Sequence, residues 1–469
     1  MGLVANNFVA VTLYATRLVW FGLLSFGILS RMPFPDELTI TPSRPLAATV
    51  TIPGSKSLTN RALIVAALAQ GTSTLRGCLI AEDSEVMVRA LNQLGIAVQT
   101  DGTTFTVSGQ GGEIPSSQAD MDVRLSGTSI RFLTALVCLG KGRYRLDGTA
   151  RMRERPIGDL AAALRQLGAN VTSEFDNDCP PVIVDAGGLV GGLAGGLVGG
   201  TAHIAGDRSS QFLSALLMSA PYAKNEVVLE VTGVLQSKPF VDLTLGLMAD
   251  FGVIVTRDGY ERFVIPSGRY QARDYLIEGD ATAAGYFWGA AAVAGGSVTV
   301  DNVGSAARQG DKRLMYVLEH MGCHLATTDT TSTITAPTGQ LKGGTFDLND
   351  IPDQAQTLAV IALFAASPVT ITNVWNMRIK ETDRLRAVHN ELVKFGAQVE
   401  EGDDYITVHP LEHPPTHEVF IDTYGDHRMA MAFALAGLRL PNVTIRDPQC
   451  VSKTFPDFFE RLEGLQRVF

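Results

Sequence analysis

A short pattern recurs five times along this chain: an amphipathic helix, a glycine, then a short strand. It appears as ALNQLGIAV around Gly95, ALRQLGANV around Gly168, LGLMADFGVIV around Gly252, VLEHMGCHL around Gly322 and ELVKFGAQV around Gly396. The glycines are spaced by 70 to 84 residues. A glycine at such a place ends a helix in the left-handed region, and alternating residues after it enter a strand. A near-constant period of this size means one supersecondary unit copied several times. The 469 residues leave room for roughly two to four domains. The expected class is therefore α/β (α+β), built from repeated units and not from one doubly wound sheet.

The widest interval has a local cause. Residues 187–200 read GGLVGGLAGGLVGG, a low-complexity tandem expected to form a flexible surface loop inserted into one copy. A phosphate cradle is the sharper alternative, but no lysine follows. Residues 1–33 also stand apart, with the apolar run LVWFGLLSFGIL from Leu18 to Leu29 after Arg17. Three readings are open: a signal segment with a poor cleavage site, an anchor with a short span, or residues upstream of a true start at Met32. The last is favoured, and the body of the chain is expected to be cytoplasmic, with no membrane partner.

The net charge of −10 argues against nucleic acid as a partner. The five cysteines, Cys78, Cys138, Cys179, Cys323 and Cys450, form no C-x-x-C pair. That pattern predicts idle thiols in a reducing compartment, with neither a disulfide framework nor a zinc site.

Within this acidic chain, one stretch is built for anions. Pro53-Gly54-Ser55-Lys56-Ser57-Leu58-Thr59-Asn60-Arg61 turns into a capped helix start ahead of the apolar run Ala62 to Leu68. Free N–H groups at a helix start attract anions, and Lys56 and Arg61 add fixed charge. The stretch is no Walker loop, because it lacks the Gly-Lys pair and the earlier glycine. Six more segments carry polar residues that a fold alone would not need: Leu125 to Arg131, Arg151 to Pro156, Gly206 to Gln211, Asn376 to Arg384, Tyr424 to Met429 and Val451 to Pro456. Singly, each has a bland reading, with arginines solvated or paired and His427 a helix cap. Together they put Ser-, Lys- and Arg-bearing helix starts at similar places in successive copies. Their dipoles are predicted to converge on a small substrate with more than one phosphate or carboxylate.

The motifs also occur in a recognisable order. PGSKSLTNRAL, ERPIG (Glu154 to Gly158), SSQFLSALL (Ser209 to Leu217), SKPF (Ser237 to Phe240), EGDA (Glu278 to Ala281), IPD (Ile351 to Asp353), KETDR (Lys380 to Arg384), DHRMAM (Asp426 to Met431) and KTFPD (Lys453 to Asp457) follow one another. From about residue 36 to 466 the chain closely resembles the 5-enolpyruvylshikimate-3-phosphate synthase family. The resemblance implies an inside-out α/β barrel in two similar domains, each of three βαβαββ-type copies, with the site in the cleft between them. It implies one domain at 54–276 and another at 34–53 plus 277–469, with the crossings near residues 54 and 277 forming a hinge. A sixth copy is expected to join the C-terminal helix, 455–465, to the N-terminal strand near Leu46 to Ile52.

The implied reaction moves the enolpyruvyl group of phosphoenolpyruvate to the 5-hydroxyl of shikimate 3-phosphate and releases phosphate. It needs no metal or organic cofactor, and the chain is expected to act as a monomer. By motif matching, shikimate 3-phosphate is held by Lys56, Ser57, Arg61, Ser209, Ser210, Gln211, Ser237, Asp353, Asn376 and Lys380. Phosphoenolpyruvate is held by Lys56, Gly127, Arg155, Gln211, Arg384, Arg428 and Lys453. Asp353 is assigned as the base on the hydroxyl, Glu381 as the group that gives and later takes the carbon proton, and Lys56 as the aid to phosphate departure. The surrounding cations are expected to keep both carboxylates ionised before substrate binds.

The chain departs from the family pattern in places. Arg124-Leu125 stands where the family usually has Gly-Asn, Phe132 where it has Pro, Phe240 where Tyr is common, and Gly425 where Asn is often found. A lost hydrogen bond to a charged group costs about 1.5–3 kcal/mol. Leu125 therefore predicts weaker phosphoenolpyruvate binding and an altered response to glyphosate, which occupies that site in the family. Two rival readings are weaker. The sister transferase acting on UDP-N-acetylglucosamine often has a reactive Cys in the loop matching Thr149 to Arg155, and none is present here. An inactive, ligand-binding paralogue is opposed by Lys56, Asp353 and Glu381.

Overall fold

The five glycines of the repeat all adopt positive φ, at 81°, 93°, 94°, 105° and 85° in chain order. Each follows a helix: Glu82–Gln93, Gly158–Gln166, Lys238–Asp250, Arg313–His320 and Arg384–Val393. Each leads into a strand: Val98–Asp101, Val171–Ser173, Thr256–Asp258, His324–Thr327 and Val399–Glu401. The computed structural model describes residues 35–187 and 196–466, so the apolar stretch 1–33 and most of the Gly-rich stretch lie outside the described residues.

Two kinds of helix alternate. The helices ahead of the glycines are amphipathic; Glu82–Gln93 buries Val86, Met87, Ala90 and Leu91 on one face and leads with Glu82, Asp83 and Glu85. Between them lie Lys56–Leu68, Gly127–Val137, Ser210–Ser219, Ala281–Ala294, Ala355–Ala362 and His427–Gly437, which are buried almost all round. Helices that are apolar on every side belong in a core. The order of strand, buried helix, strand, amphipathic helix and two strands thus recurs along the chain.

The sheets share one wiring. Gln118–Asp122 runs parallel to Arg143–Asp147, which pairs antiparallel with Val182–Asp185, which pairs antiparallel with Val171–Ser173. Gly200–Ala205 and Gly344–Asp347 each open a sheet of the same wiring. Two sheets exchange their leading strands. Leu46–Val50 pairs with Gly296–Val300, while Asp274–Leu276 pairs with Gln70–Arg76. Among the described residues, no sheet mixes strands from 54–276 with strands from outside that span.

The exchange forces two chain segments past each other, and they pair as they cross. Gly54 and Gly279 form an isolated bridge, Ser55 N donates to Glu278 O at 2.8 Å and Asp280 N to Pro53 O at 2.9 Å. The approach needs glycine: a Cβ on Gly54 would stand 1.8 Å from Gly77 O.

Two expectations need correction. The N-terminal strand that completes the C-terminal sheet is Glu37–Ile40, antiparallel to Val443–Arg446, and not Leu46–Val50. Pro42 and Pro45 separate the two strands, so each can join a different sheet. The Gly-rich loop is also shorter than expected at its C-terminal end. Leu197 is buried, Lys224 N donates to its carbonyl, and a strand begins at Gly200. Among the described residues, no helix is long and apolar enough to cross a membrane.

Candidate active site

Helix starts and short 3₁₀ turns from widely separated parts of the chain meet at one cleft. Lys56, Ser57, Arg61, Ser209, Ser210, Gln211, Ser237, Asp353, Asn376 and Lys380 all line it, with Phe240 and Pro352. The predicted convergence of helix N-termini is therefore found. Ser55 caps Lys56–Leu68 by accepting from Leu58 N, and Ser209 caps Ser210–Ser219 by accepting from Gln211 N. Asp280 serves two helices: one oxygen accepts from Lys56 N at 2.9 Å, the other from Thr282 N and Ala283 N. Ser237, which precedes Lys238–Asp250 without a capping side-chain hydrogen bond, sits at φ 56°, a strained place for a side chain, and its hydroxyl accepts from Asn376 Nδ2 at 3.4 Å.

One side of the cleft is a nest of neutral acceptors around a buried cation. Arg61 is 1% exposed. It donates to Thr244 Oγ1, Ser57 O, Ser214 Oγ and Phe240 O. Its guanidinium lies over the Phe132 and Phe240 rings, 5.2 and 5.7 Å from their centroids. Two positions that depart from the family pattern therefore touch the same arginine. Burial pulls the Arg61 pKa down to about 9.

On the other side Asp353 leads from the cleft wall into a dense ion network, whose members Glu381, Arg384, Arg428 and Lys453 do not themselves line the cleft. Asp353 accepts from Arg384 at 3.0 Å and from Arg428 at 2.9 Å. Glu381 accepts from Arg384 at 2.9 Å and from Lys453 at 2.5 Å. Arg384 also donates to Asp426 at 2.7 Å, so three carboxylates share one guanidinium. Burial would lift the Asp353 pKa, but Arg428, Lys380, Arg384 and Lys56 together hold it well below the ordinary value. Burial likewise opposes ionisation of Glu381, and Lys453, Arg384 and Arg155 outweigh it. Both carboxylates are thus ionised, as expected. The Lys380 pKa is also lowered, to about 8, but there burial is the main cause and it favours the neutral amine.

Gly127 opens the helix that faces Arg155. A Cβ there would stand 2.7 and 2.9 Å from the two Arg155 Nη atoms. Arg155 Nη1 donates to Leu125 O at 3.3 Å, so the main chain at Leu125 still makes a polar contact although its side chain cannot. Lys56 Nζ lies 3.5 Å from Asp83.

Several site residues escaped sequence reasoning. Arg131 is buried, its pKa is lowered to about 9 by burial, and it donates to Gln211 Oε1 at 2.5 Å. It stood in a segment singled out for a helix start with an arginine, so a signal existed. Asp83 had none, because its partner Lys56 is reached only through the fold. His427 is no helix cap; Asp426 caps the helix by accepting from Arg428 N. Both His427 ring nitrogens are buried without a hydrogen-bond partner among the described residues, and burial beside Lys453 and Arg428 keeps the ring neutral. Asp311 is buried near Asp353 and its pKa rises to about 7, chiefly through burial. Among the described residues, no group of three or more His, Cys, Asp or Glu could hold a metal ion.

Comparison with known proteins places relatives along most of the chain. A family model described as EPSP synthase (3-phosphoshikimate 1-carboxyvinyltransferase) matches residues 40–462. The 3-phosphoshikimate 1-carboxyvinyltransferase of Nostoc punctiforme is 49% identical over 422 residues, covering 89% of this chain and 96% of that protein. The protein of that name from Photobacterium profundum is 46% identical over 440 residues, covering 92% and 99%. A solved EPSP synthase from Acinetobacter baumannii superposes with a TM-score of 0.75 at 23% identity, covering 92% of this chain and 98% of that one, so the mixed α/β fold is shared.

Proposed function

The chain belongs to the EPSP synthase family, and we infer that the cleft described above carries the family's reaction. The enzyme transfers the enolpyruvyl group of phosphoenolpyruvate to the 5-hydroxyl of shikimate 3-phosphate and releases phosphate. The observation that carries the assignment is the cleft itself, where ten residues matched to shikimate 3-phosphate stand together.

Arg61, Lys56 and Lys380 supply the charge for the shikimate phosphate and its neighbours, and the Ser209–Ser210–Gln211 helix start supplies donors. Arg155, Arg384, Arg428 and Lys453 receive phosphoenolpyruvate; the arginine forks suit carboxylate and phosphate, and the lysine adds a point charge. Without substrate, Asp353 and Glu381 occupy these cations. When substrate anions take their place, each carboxylate loses partners and its pKa climbs toward a value useful for proton transfer. Asp353 then removes the hydroxyl proton as oxygen attacks the enol carbon, and Glu381, which takes up a proton from solvent as its pKa climbs, gives it to the methylene. Loss of phosphate, aided by Lys56, returns a methyl proton to Glu381, and the hydroxyl proton held by Asp353 leaves with the phosphate. Each acid–base role is worth roughly 10²- to 10⁴-fold. Leu125 leaves phosphoenolpyruvate one polar contact short, so its binding is weaker than is usual in the family, and the response to glyphosate is altered.

The architecture proposed for this activity is an inside-out α/β barrel in two domains of three copies each, spanning 54–276 and 34–53 plus 277–469. The restriction of every described sheet to one of those spans supports it. The paired crossings at Gly54 and Gly279 are the natural hinge, and the chain acts as a cytoplasmic monomer. The test is phosphate release with both substrates and with each omitted. Release that requires both supports the reading. Release with one substrate alone, or none with both, overturns it.

A further inference from the structure

Arg151 reaches across 230 residues of sequence to the backbone of the two most chemically burdened positions in the cleft. Its Nε donates to Glu381 O at 3.1 Å and its Nη2 to Lys380 O at 3.1 Å. Its Nη1 pairs with Glu154 Oε2 at 2.7 Å, which fixes the third corner of the guanidinium. The accepting segment needs such a partner. Lys380 is extended, between the 3₁₀ turn Trp375–Ile379 and the helix Arg384–Val393, so helical bonds do not claim its carbonyl. Arginine suits this position because a planar fork reaches two adjacent carbonyls, whereas an ammonium is a point donor.

Arg151 also belongs to the turn that presents Arg155. Glu154 N donates to Arg151 O at 3.2 Å and Arg155 N to Met152 O at 3.1 Å, so the turn moves as one piece. A displacement of Arg155 is therefore passed to the main chain at Lys380 and Glu381. The Arg151 side chain is 36% exposed and contacts these positions only through their carbonyls, so it has no direct part in the chemistry.

We propose that Arg151 is a positioning residue for the transferase reaction, setting the place of Lys380 and Glu381 and coupling them to the Arg155 turn. This rests on the reading of the cleft given above. The guanidinium is the effective group, and its loss misplaces Glu381 without unfolding the chain. Misplacement of a reacting group by about 1 Å can cost on the order of a hundredfold in rate.

The experiment compares Arg151→Ala, Arg151→Lys and Glu154→Gln with the wild type, with Glu381→Gln as the control. Steady-state kcat and KM, thermal midpoint and the pH profile of kcat are measured for each. Shikimate 3-phosphate binding is followed by protein fluorescence, since Trp375 adjoins Asn376. Arg151→Ala is expected to lower kcat roughly tenfold to a hundredfold. Its midpoint should stay within a few degrees, its shikimate 3-phosphate affinity should change much less than kcat, and the acid limb of its pH profile should move. Arg151→Lys should restore only part of the rate, and Glu154→Gln should lose a few-fold. Wild-type kcat and pH profile in Arg151→Ala overturn the proposal while the site reading stands. A fall in kcat matched by an equal loss of thermal stability and of binding also overturns it. Normal turnover in Glu381→Gln overturns the site reading and the proposal with it.

Discussion

Lys453 Nζ lies 2.5 Å from Glu381 Oε1, and each side chain is only 8% exposed. The pair is the tightest contact of the ion network, and it sets what Glu381 can do before substrate arrives. A carboxylate whose folded pKa is depressed adds stability above its ordinary value of 4.5, and that stability is lost as pH falls through the folded value. Lys453→Met leaves Arg384 as the direct partner, so the Glu381 pKa rises and the acid-unfolding transition moves to higher pH. Breaking a buried pair by removing one partner costs about 3–5 kcal/mol near neutrality. Denaturant unfolding across the acid range reads both effects, and an unchanged pH dependence would exclude this role for the pair.

Glu381→Gln keeps the shape and removes the proton carrier. Turnover should fall roughly 10²- to 10⁴-fold. Shikimate 3-phosphate should still raise the thermal midpoint, because Glu381 is not among its proposed holders. Phosphate release and thermal-shift assays on one preparation separate the two.

Gly127→Ala would put a methyl 2.7 Å from Arg155 Nη2 and 3.0 Å from Arg131 Nη1. Both are far ends of flexible side chains, so they move and the fold survives. The KM for phosphoenolpyruvate should rise about tenfold, equivalent to about 1.4 kcal/mol. The thermal midpoint should barely change. A KM equal to that of the wild type would show that Arg155 does not hold this substrate.

Arg61 is the buried charge proposed to meet shikimate 3-phosphate. All four of its hydrogen-bond acceptors are neutral. For a base whose folded pKa is lowered to about 9, the cost is full below pH 9 and fades as pH rises through it toward 12.5. Arg61→Met should therefore fold at least as stably as the wild type at pH 7. It should also lose the stabilisation by shikimate 3-phosphate, which at a hundred times Kd is worth about 2.7 kcal/mol. Calorimetry with and without the ligand checks both halves.

The repeat glycines separate conformation from space. A Cβ on Gly396 meets nothing within 4 Å, whereas one on Gly95 would stand 2.9 Å from Pro115 Cβ. Gly396→Ala should cost only the left-handed backbone penalty, about 1–2 kcal/mol. Gly95→Ala should cost more, and denaturant midpoints of the two variants compare them directly.

Helix ends and glycine turns were legible because their signals act within a few residues. Gly95, Gly168, Gly252, Gly322 and Gly396 each mark a helix end and a following strand, and the structure has both at all five. Part of the cleft was legible for a related reason: Lys56, Ser209, Ser210, Gln211, Asn376 and Lys380 lie in polar helix-start or turn segments, whereas Ser237 and Asp353 were reached only through the family's motifs. Ser55 and Ser209 cap the helices they were expected to open.

What tertiary structure decided was every choice between equivalent partners far apart in the chain. Leu46–Val50 and Glu37–Ile40 are both short strands, and only the sheet edges left open by the rest of the fold direct one to Gly296–Val300 and the other to Val443–Arg446. Asp83 meets Lys56, Arg131 meets Gln211 and Arg151 meets the Lys380 and Glu381 carbonyls only after the buried helices have packed. Local sequence determines whether a residue can donate, accept or turn the chain. Burial and long-range packing determine which partner it finds, because a desolvated charge must take whatever the assembled core places within reach.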